Sequence, residues 1–584
     1  MNTRPVAAWV TCVAAAIAGL AHAWAIADPI SGQARGWLQI AALSAFAALL
    51  LNRQSAHRVR RAALIGWVFA TTSIAGATWW LFISMHVYGG LAAPLTVLAV
   101  LGLSAFLGLY WAAAAGALFA IFKKKQAVAS VHWLLFAIVF ASFTLLTDLA
   151  RAQAFTGFPW GTGAYAHVDG ALVGLAPWVG AFGMSWAAAL VAALIAASVV
   201  QRKLMPLALA IAIPLATDWL APTADSAQVA ERFAQVKGGG RRPGDTEQNA
   251  QPPGRSSHEA LDAAAPRLTV RLLQGNIPQD EKFQPGTGVP LALDWYRAQL
   301  LNSPAALTIA PETAIPVLPA RLPDGYWDQL GAHFAVPGRA ALIGIPTRYF
   351  GQGCANSVVG LSSQAPYRYN KHHLVPFGEF IPPLFKWFVR MMNIPLGDFD
   401  AGPVAAPSFE WRTGPAPSAH PQPAGHGPHS GQAPAPARIE RLAINICYED
   451  LFGEELATRF ADPAAAPTIF VNVSNIGWFG NTVAIDQHLN IARLRSIEFA
   501  RPTLRATNTG ATAYIDARGQ VLAQMPRHER GVLDVALRGE TDMTPYARWM
   551  ARTGLWVWWA FGLGALALAW GAVRRSPARI TTPI

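Results

Sequence analysis

Eight long apolar runs alternate with polar loops along this chain. They are nearly free of Lys, Arg, Asp and Glu, each of which would cost ~2.5–3.5 kcal/mol at the centre of a membrane span. Most of them reach the ~20 residues that a helix needs to cross a bilayer. The pattern therefore predicts about eight transmembrane helices, at about 6–26, 37–52, 63–85, 92–122, 132–150, 174–200, 204–221 and 554–573.

The stretch between the seventh and eighth runs has a different pattern. From Arg267 onward, short β-type runs such as "RLTVRLLQGN", "AALIGIP" and "PTIFVNVSN" alternate with helical patterns such as "LALDWYRAQLLN". Strands interleaved with helices predict an α/β domain, here over 267–540. The membrane domain then comprises 1–221, and the last helix with its tail 541–584.

Two polar segments flank or interrupt this α/β domain. Residues 222–266 are rich in Gly and Pro and predict a linker with little packed structure. Residues 403–438 predict a low-complexity insertion. His420, His426 and His429 lie in it, and their Pro and Gly neighbours favour a disordered loop over a metal site.

Charge refines the membrane interpretation. Only 13% of the residues are charged, against about 25% in ordinary soluble proteins. The net charge of +12 comes largely from basic residues in alternate loops and at the C-terminus, near 53–61, 123–125, 202–203 and 574–579. The positive-inside rule then predicts cytoplasmic termini and 222–553 on the far side. Charge at membrane borders also argues against a nucleic-acid partner.

The first apolar run ends in "AHAWAIA", which resembles a signal-peptidase site. That run is longer than the ~7–15 apolar residues of a signal peptide, and further spans follow it. We expect an uncleaved first helix.

Cys447 is one of only three cysteines and ends the strand-like run "RLAINIC". A thiol at a strand end, followed by a backbone N–H that can point at a carbonyl oxygen, suits a nucleophile. A buried structural cysteine is an equally good interpretation of the residue alone. A disulfide with Cys354 also stays open at this stage.

Two further residues carry candidate chemistry. Glu312 follows an apolar strand in "LTIAPETAIP", and Lys371 lies in "YRYNKHHLVPFGEF". Taken singly, the first suits a turn cap and the second a surface lysine. His372 and His373 would point apart on a strand, so a shared metal is not expected.

The order Glu, Lys, Cys, each beside a β-run, resembles the carbon–nitrogen hydrolase (nitrilase) superfamily. With eight spans added, the chain resembles the apolipoprotein N-acyltransferase family of Gram-negative inner membranes. The chain departs from the family pattern at Phe283, usually Trp, and at Ile476, usually Asp. The strings that carry the resemblance are "GFPWGTGAY", "LLQGNIPQDEKF", "PETAIP", "NKHHLVPFGEFIP", "ICYED", "SNIGWFG" and "DQHLNIARLRSIEFARPTLRATNTGATAYID".

The resemblance implies an αββα sandwich domain and a role for each candidate. Cys447 is the nucleophile that forms a thioester, Glu312 is the base, and Lys371 stabilises the oxyanion and favours the thiolate. Supporting roles fall to Glu379, which orients Lys371 or assists proton transfer, to the Tyr448 backbone N–H as an oxyanion donor, and to Glu449.

The resemblance also implies the substrates. The acyl donor is a phospholipid, preferentially phosphatidylethanolamine, and the acceptor is the α-amine of a lipoprotein's diacylglyceryl-cysteine. The bilayer is a further partner, and neither metal nor cofactor is implied. The expected location is the bacterial inner membrane, with a periplasmic catalytic domain.

Lipid substrates need apolar contacts, which aromatic residues near the candidate site could supply. The apolar segment 380–399 suits a lid at the lipid interface or a helix packed on the core. The lipid-binding candidates are Trp478, Phe479, Phe283, Trp387, Phe388 and Trp160.

Two other functions compete with acyl transfer. A membrane-anchored amidase would use the same triad and pass the acyl group to water, although a soluble substrate needs no eight-span anchor. A transporter or inactive scaffold is disfavoured by the low charge inside the spans and by the intact triad.

Overall fold

The computed structural model describes residues 6–52, 54–122, 132–220, 267–348, 353–381, 399–413 and 438–575. Several predicted features lie outside these residues. Among them are the linker at 222–266, the basic loop at 123–125, the insertion residues His420, His426 and His429, and the central part of the lid segment with Trp387 and Phe388.

All eight apolar runs form helices, although fewer of these helices are long enough to span a membrane than the eight predicted. Among the described residues, five helices are long and apolar enough to cross a membrane, namely α1, α4, α5, α6 and α12. The helices α2 and α7, of 16 and 17 residues, are shorter than a full span. In chain order the helices are α1 (Ala8–Ile26), α2 (Gly36–Leu51), α3 (Val59–Thr78), α4 (Ala93–Phe122), α5 (Trp133–Gln153), α6 (Ala176–Gln201), α7 (Leu204–Leu220), α8 (Gly288–Leu301), α9 (Tyr326–Phe334), α10 (Ala484–Phe499), α11 (Pro545–Thr553) and α12 (Trp556–Arg575).

The third run departs from the prediction of one continuous helix over 63–85. The helix α3 ends at Thr78, and the chain continues as a helical segment, Leu81–Tyr88, bent by 63°. Trp80 lies at this break, and its indole N–H donates both to the Ala77 carbonyl, at 2.8 Å, and to Gln487 of the α/β domain, at 3.0 Å. The break therefore directs the chain toward the α/β domain.

The α/β domain contains two six-stranded sheets among the described residues. The first has the order β12-β1-β2-β3-β4-β5, and the second has the order β11-β10-β9-β8-β7-β6. Each sheet pairs its central strands in parallel and its outer strands antiparallel. The strands are β1 (Leu268–Gln274), β2 (Leu307–Ile309), β3 (Ala340–Arg348), β4 (Cys354–Ser362), β5 (Tyr367–Asn370), β6 (Phe409–Thr413), β7 (Arg438–Ile446), β8 (Ile469–Ser474), β9 (Thr503–Thr507), β10 (Ala513–Ile515), β11 (Val521–Gln524) and β12 (Gly531–Leu537).

The two sheets pack face to face over one apolar core. Val270 and Leu342 of the first sheet and Ile444 and Val471 of the second belong to this core and are fully buried. The helices α8 and α9 pack on the other face of the first sheet. The helix α10 packs on the second. This arrangement is the predicted αββα sandwich, which is confirmed.

The predicted insertion at 403–438 was wrong in its extent. Residues Phe409–Thr413 form β6, which pairs antiparallel with β7 from Thr413 opposite Arg438 to Phe409 opposite Leu442. Phe409 and Trp411 are 3% and 5% exposed, because both side chains enter the core between the sheets. Only 414–437 remains as a candidate insertion, and it lies outside the described residues.

The helix α10 is buried although its sequence, "AIDQHLNIARLRSIEF", is largely polar. Fourteen of its 16 residues are buried, because the helix lies between the second sheet and the helical bundle. Several of its polar groups bond to the bundle instead of to water. The Asn490 amide donates to the Ile26 carbonyl at 3.1 Å, and Glu498 accepts from the Ala181 N–H at 2.6 Å.

Gln487 of α10 is a central contact between the two parts of the chain. Its side-chain oxygen accepts from the indole N–H of Trp80, at 3.0 Å, and from that of Trp160, at 2.8 Å. The Trp80 ring also packs against Phe479, with centroids 4.1 Å apart. Trp80 and Trp160 come from loops at the end of the bundle that lacks Arg58, Arg60, Arg61, Arg202 and Lys203.

The revised extent of the insertion gives a first prediction. Because Thr413 and Arg438 are paired neighbours, replacing 414–437 by a two-residue Asn-Gly turn should close a β-hairpin and change the free energy of unfolding by less than about 0.5 kcal/mol. Deleting 405–437 should destabilise the protein strongly, since each lost buried aromatic costs about 3–5 kcal/mol. Thermal unfolding in detergent compares the two. Equal unfolding temperatures would contradict the packing of β6.

A second prediction concerns Gln487. Gln487→Leu leaves the buried indole N–H of Trp160 without its acceptor, at a cost of about 1–3 kcal/mol, and leaves that of Trp80 with the Ala77 carbonyl alone. Its unfolding temperature should fall well below that of Gln364→Leu, a matched change at an exposed loop residue. If the two variants unfold together, Gln487 does not hold the two parts of the chain.

Candidate active site

Cys447 lies at a sharp turn between β7 and a short 3₁₀ helix, Cys447–Leu451. Its φ of +53° is in the left-handed region, which L-residues rarely adopt, so neighbouring bonds must hold it. Its carbonyl accepts from the Asn472 amide at 3.2 Å and from His488 Nε2 at 3.1 Å. Cys447 is a free thiol, as is Cys354, so the disulfide left open by the sequence is absent.

His488 bonds to this turn as a neutral imidazole with its proton on Nε2. Arg505 Nη2 donates to His488 Nδ1 at 2.9 Å, which leaves the imidazole proton on Nε2, facing the Cys447 carbonyl. Burial, with the Arg505 charge, lowers the pKa of His488 well below its usual value. His488 is therefore a neutral donor. Arg505 in turn pairs with Asp450 at 3.2 Å.

Glu312 follows β2, and both of its carboxylate oxygens accept buried hydrogen bonds. Oε1 accepts from the Asn356 amide and Oε2 from the Asn475 backbone N–H, each at 2.7 Å. Its peptide packs on Gly344 of β3, where an added Cβ would lie 2.1 Å from the Pro311 carbonyl oxygen. Glycine is therefore required there, and the carboxylate is fixed from two sides.

Lys371 follows β5 and lies between two carboxylates. Its Nζ is 2.8 Å from Glu379 Oε2 and 3.6 Å from Glu312 Oε1, and its side chain is 1% exposed. Burial lowers the pKa of Lys371, but the charges of Glu379 and Glu312 outweigh burial, so the pKa is raised. Lys371 is thus a permanent ammonium group.

The Cys447 thiol is not ionised in the resting site. Burial raises its pKa, the Glu312 carboxylate raises it further, and the opposing effect of Lys371 is smaller. Lys371 acts in the expected direction, toward the thiolate, but burial and Glu312 outweigh it. Attack by sulfur needs a base that removes the proton as the reaction proceeds.

Glu449 links the Cys447 turn by hydrogen bonds to the segment after Lys371. Its carboxylate accepts from the Ile446 N–H at 2.6 Å, from the Tyr369 hydroxyl at 2.8 Å, and from the N–H groups of His372 and His373 at 2.7 and 3.1 Å. These donors satisfy a buried carboxylate whose pKa burial raises. The sequence-predicted Glu312, Lys371 and Glu379 are thus parts of one bonded network, and Glu449 holds the backbone of the two residues that follow Lys371.

Other candidates have contacts outside this network. The Tyr448 hydroxyl donates to the Gly157 carbonyl of the bundle at 3.0 Å. His372 bonds to the Gly402 carbonyl, and His373 bonds to Glu455, each through Nδ1. Among the described residues, no cluster of three or more His, Cys, Asp or Glu could hold a metal ion.

The aromatic candidates divide into two groups. Trp160, 4% exposed, and Phe479 belong to the contact between bundle and α/β domain. Phe283 and Trp478 stack with centroids 6.4 Å apart, and Tyr88 of the bent helical segment meets the Trp478 ring edge-on at 5.9 Å. This second group, Tyr88, Phe283 and Trp478, is called the aromatic wall below.

Several residues of the site were missed by the sequence analysis. Asn356, Asn475 and His488 act through partners that are distant in sequence. Asn475 and His488 lie inside the strings that carried the family resemblance, but nothing in their spacing indicates which groups they bond. Ile476, a departure from the family pattern, is 1% exposed in an apolar cluster, where an isoleucine packs without cost.

Comparison with known proteins agrees with this architecture. Residues 18–194 match the family model of the apolipoprotein N-acyltransferase N-terminal domain, and 269–546 match that of carbon-nitrogen hydrolase. An apolipoprotein N-acyltransferase of Verminephrobacter eiseniae is 49% identical, over 93% of this chain and 92% of the relative. One of Ralstonia nicotianae is 38% identical over 96% and 93%.

Among solved structures, an amidase of the nitrilase superfamily from Nesterenkonia aligns with 48% of this chain and 94% of its own, at 15% identity. The TM-score of this alignment is 0.31. The chain belongs to the apolipoprotein N-acyltransferase family.

Proposed function

We propose that this enzyme moves an acyl chain from a phospholipid to Cys447, and from there to the α-amine of a lipoprotein's diacylglyceryl-cysteine. The observation that carries the proposed residue roles is the buried network in which Lys371 Nζ lies 3.6 Å from Glu312, with the Cys447 thiol under the influence of both charges. The network supplies a nucleophile, a base and a fixed cation.

In the first half-reaction, the Cys447 sulfur attacks the ester carbonyl while its proton passes to Glu312. Negative charge develops on the carbonyl oxygen, where the Lys371 ammonium and the Tyr448 N–H stabilise it. The C–O bond then breaks, Glu312 returns the proton to the leaving oxygen, and a lysophospholipid departs. The acyl group remains on sulfur as a thioester.

In the second half-reaction, the acceptor amine in its neutral form attacks the thioester carbonyl. Glu312 removes a proton from the attacking nitrogen and delivers it to the departing sulfur as the C–S bond breaks. An amide forms and the thiol is regenerated. One carboxylate thus serves as base and acid in both half-reactions, which is why its two oxygens must stay in place.

The helical bundle gives this chemistry access to its substrates. Donor and acceptor are both anchored in a bilayer, so the α/β domain must work at the membrane surface. We propose phosphatidylethanolamine as donor and an inner-membrane location with cytoplasmic termini and a periplasmic catalytic domain. The concentration of basic residues in alternate loops supports this orientation.

The aromatic wall is the proposed contact for the acyl chain. Phe283 follows Lys282, whose Nζ bonds to the Glu312 carbonyl, so the wall begins beside the site. Tyr88 extends it from the bundle. An amidase that releases the acyl group to water is the alternative function, but the match over 18–194 favours the acyltransferase.

The function is tested by a donor–acceptor assay in detergent. With phosphatidylethanolamine and a diacylated lipopeptide, the wild-type protein should form the N-acyl amide in large excess over free fatty acid. Cys447→Ala should form no amide, since it lacks the attacking sulfur, and Cys354→Ala should behave as wild type. Free fatty acid as the main product would favour the amidase, and amide formation by Cys447→Ala would overturn the nucleophile.

Glu312 and Glu379 both contact Lys371, and their amide variants separate their roles. Glu312→Gln removes the base and should lower kcat about 10²–10⁴-fold at every pH.

Glu379→Gln removes the carboxylate that contributes most to raising the pKa of Lys371. Lys371 then loses its proton at lower pH, so activity should fall on the alkaline side earlier than in wild type. The measurement is kcat against pH. A pH profile of Glu379→Gln that matches wild type would contradict this role.

A further inference from the structure

Lys282 is a second buried lysine at the active site, and the mechanism above does not use it. Its side chain is 1% exposed, and its Nζ donates to the backbone carbonyl of Glu312 at 3.1 Å. It follows the turn that leads from β1, and its Nζ lies 6.0 Å from the centre of the Phe283 ring. Lys282 therefore touches the peptide of the base and borders the aromatic wall.

The two lysines have opposite surroundings. Lys371 has two carboxylates within 4.0 Å. Among the described residues, Lys282 has no carboxylate within that distance. The charged groups that influence Lys282 are Glu312 and Cys447. Burial lowers the pKa of Lys282 to about 7, against the smaller opposing effects of those two groups. Lys371 is thus fixed as an ammonium, whereas Lys282 exchanges its proton near neutral pH.

The proton on Lys282 changes the net charge around the Cys447 thiol. Two carboxylates, Glu312 and Glu379, face the single ammonium of Lys371. The excess negative charge opposes ionisation of the Cys447 thiol. A proton on Lys282 compensates this excess, while the neutral amine leaves it uncompensated.

We propose that Lys282 is a positioning residue that fixes the Glu312 peptide and, when protonated, adds a second positive charge that eases proton loss from Cys447. The proposal rests on the proposed roles of Glu312 and Cys447. The step is a reversible proton uptake from solvent by the amine, with no bond to substrate. Its assistance is present below the pKa of Lys282 and is lost as pH rises through about 7.

A packing role and a charge role predict opposite stabilities for Lys282→Met. The unfolded chain binds a proton on lysine up to about pH 10.4, whereas the folded site loses it near 7. Unfolding therefore takes up a proton between these values, so the buried lysine costs stability at and below neutral pH, and the cost shrinks as pH rises. Lys282→Met removes that cost, which exceeds the loss of the one hydrogen bond to the Glu312 carbonyl, so at and below neutral pH it should unfold at the wild-type temperature or above. A lysine needed for packing would give a lower temperature.

The experiment uses the full-length protein in detergent and the intrinsic reactivity of the sulfur. Alkylation of Cys447 by iodoacetamide is followed by peptide mass spectrometry from about pH 5.5 to 9 in wild type, Lys282→Met, Lys282→Arg and Lys203→Met. The last is a matched control at an exposed lysine of the bundle. Thermal unfolding is measured in parallel.

We expect wild type to react about tenfold faster than Lys282→Met near pH 6, a ratio that shrinks toward one above about pH 8.5. Lys282→Arg should keep the faster rate to high pH, because arginine stays charged. Lys203→Met should match wild type.

Two results would overturn the proposal while leaving the nucleophile in place. One is equal alkylation of Cys447 in wild type and Lys282→Met at all pH values. The other is slow alkylation at every pH with a lowered unfolding temperature, which would make Lys282 a packing residue. If the acyl group of a labelled phospholipid never reaches Cys447 in wild type, the role of Cys447 fails, and that of Lys282 fails with it.

Discussion

The buried ammonium of Lys371, between Glu379 at 2.8 Å and Glu312 at 3.6 Å, is the interaction on which the site depends. An unpaired buried charge costs several kcal/mol, so the segments that carry these three groups are held together by the penalty of separating them. Asn356 donates to both carboxylates at 2.7 Å and fixes their spacing. Glu312, Lys371 and Glu379 are thus held in place before any substrate arrives.

The helical bundle does more than anchor the α/β domain. Gln487 accepts from Trp80 and Trp160 of the bundle, and the next residue, His488, donates to the carbonyl of Cys447. The bundle and Cys447 are therefore linked through two adjacent residues of α10. The bundle supplies hydrogen-bond partners for polar side chains of α10, which explains why a helix with so many polar residues can be buried here. An α/β domain cut from this chain would lose those partners.

Local signals made much of this architecture predictable. The apolar runs, the strands of the α/β domain and the order of Glu312, Lys371 and Cys447 are carried by short stretches of sequence, whereas the αββα arrangement was predicted from the family resemblance. The break at Trp80, the strand at Phe409–Thr413 and the burial of α10 were not, because each depends on a partner far along the chain. The same reason hid Lys282, which stands next to Phe283 in a recognised string but acts on Glu312.

The central claim is that Cys447 carries the acyl group between two lipids. The most direct measurement is a pulse and chase. Full-length protein is incubated with phospholipid bearing a labelled acyl chain and digested, and the label is mapped before and after a diacylated lipopeptide is added. The account predicts one hydroxylamine-sensitive label per chain, on the peptide that contains Cys447, which the lipopeptide removes as an amide. Label that never reaches that peptide, or that the lipopeptide cannot remove, would contradict it.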